Sequence, residues 1–415
     1  MYTERIMLIS RNIERKIEQL LRIFPVVALL GARQTGKTVL SKKLRPTWRY
    51  VDFENPNDFE MVSRDPILYF EQFPSEIILD EAQSYPKLFD ILRGVIDQRR
   101  QEKGRFILTG SSSPELLKQI SESLAGRIGI VEIGTLKANE YYQKPLSPLY
   151  KIFEQQLDKR LLDFHEQPLS NAQMRQIWLR GGYPEPLLSL NDSDYQLWMQ
   201  NYRDTYVNRD VARLFPQLNR NKFQRFISML ADLSGTILNK SSVGRALEFN
   251  ESTAREYLHI ASNTFIWREL LSYENSAIKS IVKMPKGYIR DSGLLHFLRK
   301  IQDIDALLTS SSIGSSFESF VIEELIKGIE SMSIVNWDAR YFRTRGGAEV
   351  DLVLSGTFGV LPVEIKYGTT VQLKQLDSLR KFIEDNHLPF GLLINQASEV
   401  LWLSDKILQV PIGWV

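Results

Sequence analysis

An α/β protein is predicted, with a doubly wound parallel sheet toward the N-terminus and a second, mixed α/β region toward the C-terminus. Three observations predict it. Val26, Val27, Ala28, Leu29 and Leu30 form an apolar run that breaks into the glycine loop at 31–38 and then into a short helix. Apolar runs of strand length alternate with amphipathic helical segments as far as residue 135, the pattern of successive βα units. Beyond residue 315 the order becomes helix, three strands, helix, strand.

Composition bounds the answer. At 415 residues the chain exceeds one hydrophobic core and suggests roughly two to four domains. Hydrophobic residues are 43% and charged residues 25%, ordinary for a globular protein. The net charge of +2 does not by itself point to nucleic acid, so any basic surface must be local. There is no cysteine, which excludes disulfides, thiolate metal sites and a cysteine nucleophile. His165, His259, His296 and His387 have no ligand spacing. No apolar run reaches membrane-spanning length, and the N-terminal MYTERIMLISRNIERKIEQLL is charged and helical rather than a signal peptide. A cytoplasmic protein without a membrane partner is the expectation. Ile13, Ile17, Leu20, Leu21 and Phe24 fall on one helix face and are expected to pack on the first domain.

The first decisive stretch is Gly31, Ala32, Arg33, Gln34, Thr35, Gly36, Lys37 and Thr38, which fits G-x-x-x-x-G-K-[ST] between a strand and a helix. The glycines let backbone N–H groups face phosphates, and the helix N-terminus adds positive potential. Lys37 is expected on the β/γ-phosphates and Thr38 on Mg2+. A short strand follows at 49–53. Residues 75–83, SEIILDEAQ, form a strand that ends in two acids. Asp80 is expected to hold Mg2+, and Glu81 to polarise the water that attacks the γ-phosphate. A third strand, 105–110, runs into small polar residues. Strand C-termini converge on the ligand in such sheets, so one of Thr109, Ser111 or Ser112 is expected near the γ-phosphate, with Ser111 the candidate. A helix carrying Leu116, Leu117, Ile120 and Leu124 leads to Ala125-Gly126-Arg127. Arg127 is a candidate to touch a γ-phosphate in its own or a neighbouring subunit of a homo-oligomer.

GARQTGKT, ILDEAQ, LTGSSS and LAGR, in this order and spacing, resemble the P-loop ATPases of the AAA+ class. The resemblance is to the prokaryotic group whose C-terminal half is poorly characterised. That half typically contains GG[YF]P, here Gly181-Gly182-Tyr183-Pro184. The resemblance implies ATP and Mg2+ as cofactors, an ATPase core over 1–135 and a helical lid over 136–220. Helical segments are expected at 138–142, 157–164, 172–179 and 195–214. Arg180, Arg203, Arg209 and Arg213 are alternative phosphate sensors in that lid.

Residues 221–300 read as a winged helix-turn-helix. Phe223, Phe226, Ile227, Leu230 and Leu233 make the first helix, 241–247 the second, Glu248-Phe249-Asn250 the turn and 253–262 the third. Residues 265–271 and 281–289 suit wing strands. The third helix is expected in a DNA major groove with Ser252, Thr253, Arg255 and Glu256 in front. Lys279, Lys283 and Lys286 are expected on phosphates.

Residues 301–415 read as a separate domain. Strand alternation puts Glu349 and Asp351 on one face and Glu364 and Lys366 on another. Together they can bind a metal and activate water. The order and the D…E-x-K pattern resemble the restriction-endonuclease-like, PD-(D/E)xK, fold, and Glu318 sits where resolvase-like members place a helix glutamate. The resemblance implies metal-dependent DNA cleavage, catalysed by Asp351, Glu364 and Lys366, with Glu318, Asp351 and Glu364 on the metal. DNA, branched DNA included, is therefore the expected partner. The alternative is a nucleotide-dependent regulatory switch that binds a protein and has a non-catalytic C-terminal domain.

Overall fold

Strands β1 (Val26–Leu30), β2 (Arg49–Asp52), β3 (Ile77–Asp80), β4 (Phe106–Gly110) and β5 (Ile128–Glu132) form a parallel sheet in the order β2-β3-β4-β1-β5. Every residue of β1, β3 and β4 is buried, as central parallel strands with both faces covered require. One face packs Val26, Ala28, Ile77, Leu79, Phe106 and Leu108 against Leu88, Phe89, Leu92 and Ile96 of the helix Leu88–Gln98. The other packs Val27, Leu29, Ile78 and Ile107 against Leu40 and against Ile13, Ile17 and Leu21, the apolar stripe expected of the N-terminal segment. Each of these side chains larger than alanine contributes about 1.5–3 kcal/mol by leaving water. Because β4 lies between β1 and β3, with Leu29 beside Thr109 and Leu79 beside Leu108, the loops after all three strands meet at one edge.

In the computed structural model the described residues are 9–111, 120, 122–165, 168–188, 191–211, 215, 218–246, 250–274 and 283–415. Ser112, Leu116, Leu117, Arg213, Glu248, Phe249 and Lys279 lie outside them, as does the side chain of Arg209. The chain forms two compact units, one holding the parallel sheet and ending at Leu136 save for Asn263–Phe265, the other comprising Lys137–Ser262 and Ile266–Val415. The segments expected as lid, winged helix and C-terminal domain thus share the second unit, and 220 and 300 are not seams between units.

In the second unit, β6 (Thr236–Ile237), β7 (Trp267–Ser272), β8 (Lys286–Ile289), β9 (Asp338–Arg343), β10 (Glu349–Gly356), β11 (Gly359–Ile365), β12 (Gly391–Asn395), β13 (Leu401–Ser404) and β14 (Ile407–Pro411) form one sheet, ordered β13-β14-β12-β11-β10-β9-β7-β8-β6. The helix Ile313–Ser331, β9, β10, β11, the helix Asp377–Asp385 and β12 follow the expected order. The helices Arg220–Leu233, Lys240–Ala246 and Glu251–Asn263 precede β7 and β8. Parallel pairing of Leu271 with Arg340 and of Ser272 with Tyr341 joins these two segments into one sheet.

Two helical expectations differ from the structure. Over 157–164 there is only a 3-10 turn, Lys159–Leu161. Asp158 accepts the Arg160 N–H at 2.9 Å and pairs with its guanidinium, a local turn that competes with the helix. The stretch expected as one helix over 195–214 is an α-helix, Asp192–Tyr202, continued by a π-helix, Arg203–Asp210.

Candidate nucleotide site and carboxylate cluster

The loop after β1 folds on itself. Gly36 takes φ +87° at the start of the helix Lys37–Leu44, a left-handed conformation that glycine adopts without a Cβ penalty. Thr35 Oγ1 donates to the Ala32 carbonyl at 3.0 Å. Lys37 Nζ donates to the carbonyls of Gly31 at 3.1 Å and Ala32 at 2.7 Å. Burial pushes the Lys37 pKa down to about 8, against the pull of Glu81 and Asp80. Arg33 lies at the rim, 3.0 Å from Glu54, and Gln34 has φ +64°.

The acids that end β3 stand beside this loop. Thr38 Oγ1 is 3.1 and 3.0 Å from the two oxygens of Asp80. Tyr50 OH donates to Asp80 at 2.5 Å, and Thr109 Oγ1 also bonds it. The Glu81 N–H donates to Thr109 Oγ1 at 3.3 Å, while its carboxylate accepts from Gln83. Ser111 Oγ, just past β4, is buried with no hydrogen-bond partner among the described residues. The arrangement fits a Mg2+ nucleotide: Thr38 and Asp80 pair two hard oxygen donors, and Ser111 offers an unused hydroxyl at the same sheet edge.

Two residues of this site escape the sequence reading. Tyr50 reaches Asp80 because β2 lies next to β3, with Asp52 beside Asp80, a neighbourhood that no local motif encodes. Arg11 donates to the Thr35 carbonyl at 3.1 Å and to the Gly134 carbonyl at 2.9 Å, bracing the loop against the chain that leaves β5.

Arg127 corrects the own-chain half of its expectation. Its carbonyl accepts the Val26 N–H at 3.3 Å, so it sits where β1 begins. The loop follows the other end of β1, about 16 Å away at the usual rise per residue. Its guanidinium is held by Asp97 at 2.9 and 2.7 Å, which raises its pKa and lowers that of Asp97. Arg127 therefore does not reach the phosphates of its own chain. Of the alternative sensors, Arg180 pairs with Asp192 and Arg203 with Asp204.

The second unit gathers the other expected residues. A register shift between Val350 and Val353 puts one extra residue into β10 beside β9, at Asp351–Leu352. Asp351 Oδ2 accepts the Ile365 N–H at 2.8 Å, setting it beside Glu364. Glu364 lies 2.5 Å from Lys366 Nζ, and its Oε2 is buried without a partner among the described residues. Burial, and next the charge of Asp351, push Glu364 up to about 8 and Glu318 up to about 7. Tyr288 OH donates to Glu318 at 2.7 Å.

Lys286 is the second correction. Expected on a wing facing phosphates, it is 4% exposed. Its Nζ lies 2.6 Å from Glu318, 2.7 Å from Glu349 and 3.9 Å from Asp351. Burial opposes its charge, but Glu318, Asp351 and Glu349 outweigh burial and raise its pKa above the lysine range. Lys283 stays exposed beside Glu274 at 3.6 Å. Among the described residues no group of three or more histidines and acids is set to hold a metal ion. Glu318, Asp351 and Glu364 converge, but with an ammonium among them they do not fit a divalent ion.

The chain matches an AAA domain over residues 24–142 and two domains of unknown function, DUF8612 over 171–305 and DUF4143 over 313–415. It is 31% identical over 404 residues to the uncharacterized protein Mb2031c of Mycobacterium bovis, covering 97% of this chain and 83% of that protein. The uncharacterized protein Rv2008c of Mycobacterium tuberculosis gives the same figures: 31%, 97% and 83%. A Walker-type ATPase of Pyrococcus abyssi is similar in structure at 18% identity and TM-score 0.43, over 70% of this chain and 96% of that one. No helix among the described residues is long and apolar enough to cross a membrane. With its P-loop inside the matched AAA domain, the chain belongs to the family of these two uncharacterized mycobacterial proteins.

Proposed function

We propose that the chain binds ATP with Mg2+ and hydrolyses it. The observation that carries this reading is the convergence of Lys37, Thr38, Asp80 and Glu81, with Thr38 Oγ1 3.0 Å from Asp80. Lys37 exchanges its two loop carbonyls for phosphate oxygens, whose charge offsets the burial of the ammonium. Thr38 and Asp80 hold the Mg2+, which neutralises charge on the phosphates. Glu81 orients the attacking water and takes its proton. Ser111 adds a hydrogen bond. Phosphate release by purified protein tests the assignment. Lys37→Ala is expected to lose nucleotide binding and turnover together. Glu81→Gln is expected to keep binding and lose turnover by about a hundredfold or more, the usual weight of a general base. Unchanged turnover in Glu81→Gln removes Glu81 from the mechanism.

DNA handling is a second reading, supported by the exposed face of the helix Glu251–Asn263, where Ser252, Arg255 and Glu256 point to solvent. Arg255 is paired with Glu251, so this face offers shape more than charge. Metal-dependent DNA cleavage at Asp351, Glu364 and Lys366 is supported by their convergence alone, and no step is derived through a metal that their arrangement does not fit. Duplex, single-stranded and four-way-junction DNA with Mg2+ or Mn2+ test it. Cutting that disappears in Asp351→Ala supports it. No cutting of any substrate leaves the regulatory switch with a non-catalytic C-terminal domain.

A further inference from the structure

The carboxylate cluster of the second unit comes with its own cation, delivered by a strand outside the stretch that supplies the acids. β8 is buried at all four residues. Lys286 and Tyr288 alternate onto one face of it and both reach Glu318, at 2.6 and 2.7 Å. Lys286 pairs across the ladder with Leu270 of β7 and Ile237 of β6. Its position is thus fixed by strands on both sides.

We propose that the Lys286 ammonium is the resident cation of the Glu318–Asp351–Glu364 cluster and excludes divalent metal from it. A divalent ion takes carboxylate oxygens at about 2.0–2.6 Å. Glu318 Oε1 already lies 2.6 Å from Lys286 Nζ and also accepts from Tyr288, and Glu349 closes the other side of the ammonium at 2.7 Å. A metal entering between Glu318 and Asp351 would stand against the ammonium in a site too dry to screen the two charges. Lys366 holds one oxygen of Glu364 at 2.5 Å, while the buried, unpartnered Oε2 leaves an oxygen donor for an ion that enters once Lys286 is gone. The inference goes beyond ATP hydrolysis and runs against the cleavage reading. It assigns the C-terminal acids to a buried ion-pair network built by both segments of the sheet.

Mn2+ binding to the full chain without nucleotide, read by loss of the free-ion EPR signal, tests it. The proteins compared are wild type, Asp351→Asn, Lys286→Met, Lys286→Met with Asp351→Asn, and Lys286→Arg. Wild type and Asp351→Asn are expected to bind Mn2+ alike. Lys286→Met is expected to gain a site about tenfold tighter or more, as the like charge is removed. The double variant is expected to lose that site, and Lys286→Arg to exclude the ion as wild type does. Circular dichroism checks that each variant folds. If Lys286→Met does not, Lys286→Gln, which keeps a polar end without the charge, takes its place. A wild-type Mn2+ site that Asp351→Asn removes overturns the proposal and leaves the cleavage reading standing. Where wild type has no such site, a folded Lys286→Met or Lys286→Gln that binds no extra Mn2+ overturns the proposal and leaves the cleavage reading without a metal site.

Discussion

Burial sets the chemistry of His296, which is 1% exposed. Its Nδ1 lies 3.0 Å from the Leu179 carbonyl and its Nε2 lies 2.6 Å from Ser316 Oγ. Trp178 Nε1 donates to the same Ser316 oxygen at 3.0 Å. A carbonyl only accepts, so Nδ1 carries the proton and Nε2 accepts the Ser316 hydroxyl. The neutral ring is fully satisfied, and a second ring proton would face a hydroxyl already committed as donor. Burial pushes the pKa down to about 4, although the Leu179 contact opposes it. An unfolded chain takes up this proton below about pH 6.5, and the folded one declines it until about pH 4. Stability from this group is therefore complete above pH 6.5 and is lost as pH falls toward 4, by roughly 3 kcal/mol in all. Urea unfolding at pH 7 and pH 4.5, followed for wild type and His296→Gln, measures it. Wild type is expected to lose more stability than the variant by most of that amount. Equal losses overturn the assignment.

At the scale of elements, GGYP belongs to a clasp. Asp291 accepts the Gly182 N–H at 2.8 Å and the Leu294 N–H at 2.9 Å, so one carboxylate holds the loop after Asn171–Arg180 and caps the helix Ser292–Leu298. Gly181 has φ +72° and ψ −167°, a region that only glycine populates freely. A Cβ there would lie 2.2 Å from Asp291 Oδ1. Asp291→Ala removes a cap and strands a buried N–H, a loss of about 2–4 kcal/mol. Asp291→Asn keeps one acceptor and is expected to lose about half as much. Denaturant midpoints check both, and equal losses would show that the second oxygen is required. The contrast with the P-loop shows what a sequence can carry. Lys37 and Thr38 are adjacent in the chain, and Asp80 and Glu81 end an apolar strand, so local pattern suffices. Asp351 and Glu364 follow from alternation, though the bulge at Asp351–Leu352 has no visible signal. Lys286 is misread because a wing strand presumes a solvent face. The pairing of Leu271 with Arg340, which brings the two segments into one sheet, joins residues too far apart for any periodicity to relate.

For the whole molecule, the division at Leu136 separates two chemistries. All nucleotide contacts inferred above come from the first unit, and all acids of the Lys286 network from the second. A ligand that binds only the folded state stabilises what it touches by mass action, about 2.7 kcal/mol at a hundred times its Kd. Amides that exchange only when the first unit opens as a whole should then slow about a hundredfold. With Mg2+ and a non-hydrolysable ATP analogue at that excess, the buried amides of β1, β3 and β4 are expected to show this protection. Those of β10, β11 and β12 are expected to keep their rates, because the nucleotide contacts proposed above use none of their residues. Lys37→Ala should abolish the effect without altering exchange in the second unit. Equal slowing in both units would mean that they open as one cooperative body, in which case nucleotide at Lys37 also stabilises the fold around Asp351. Slowing confined to the first unit would mean that nucleotide binding leaves the stability of the second unit unchanged, and that any link to Asp351 has to come from a step after binding.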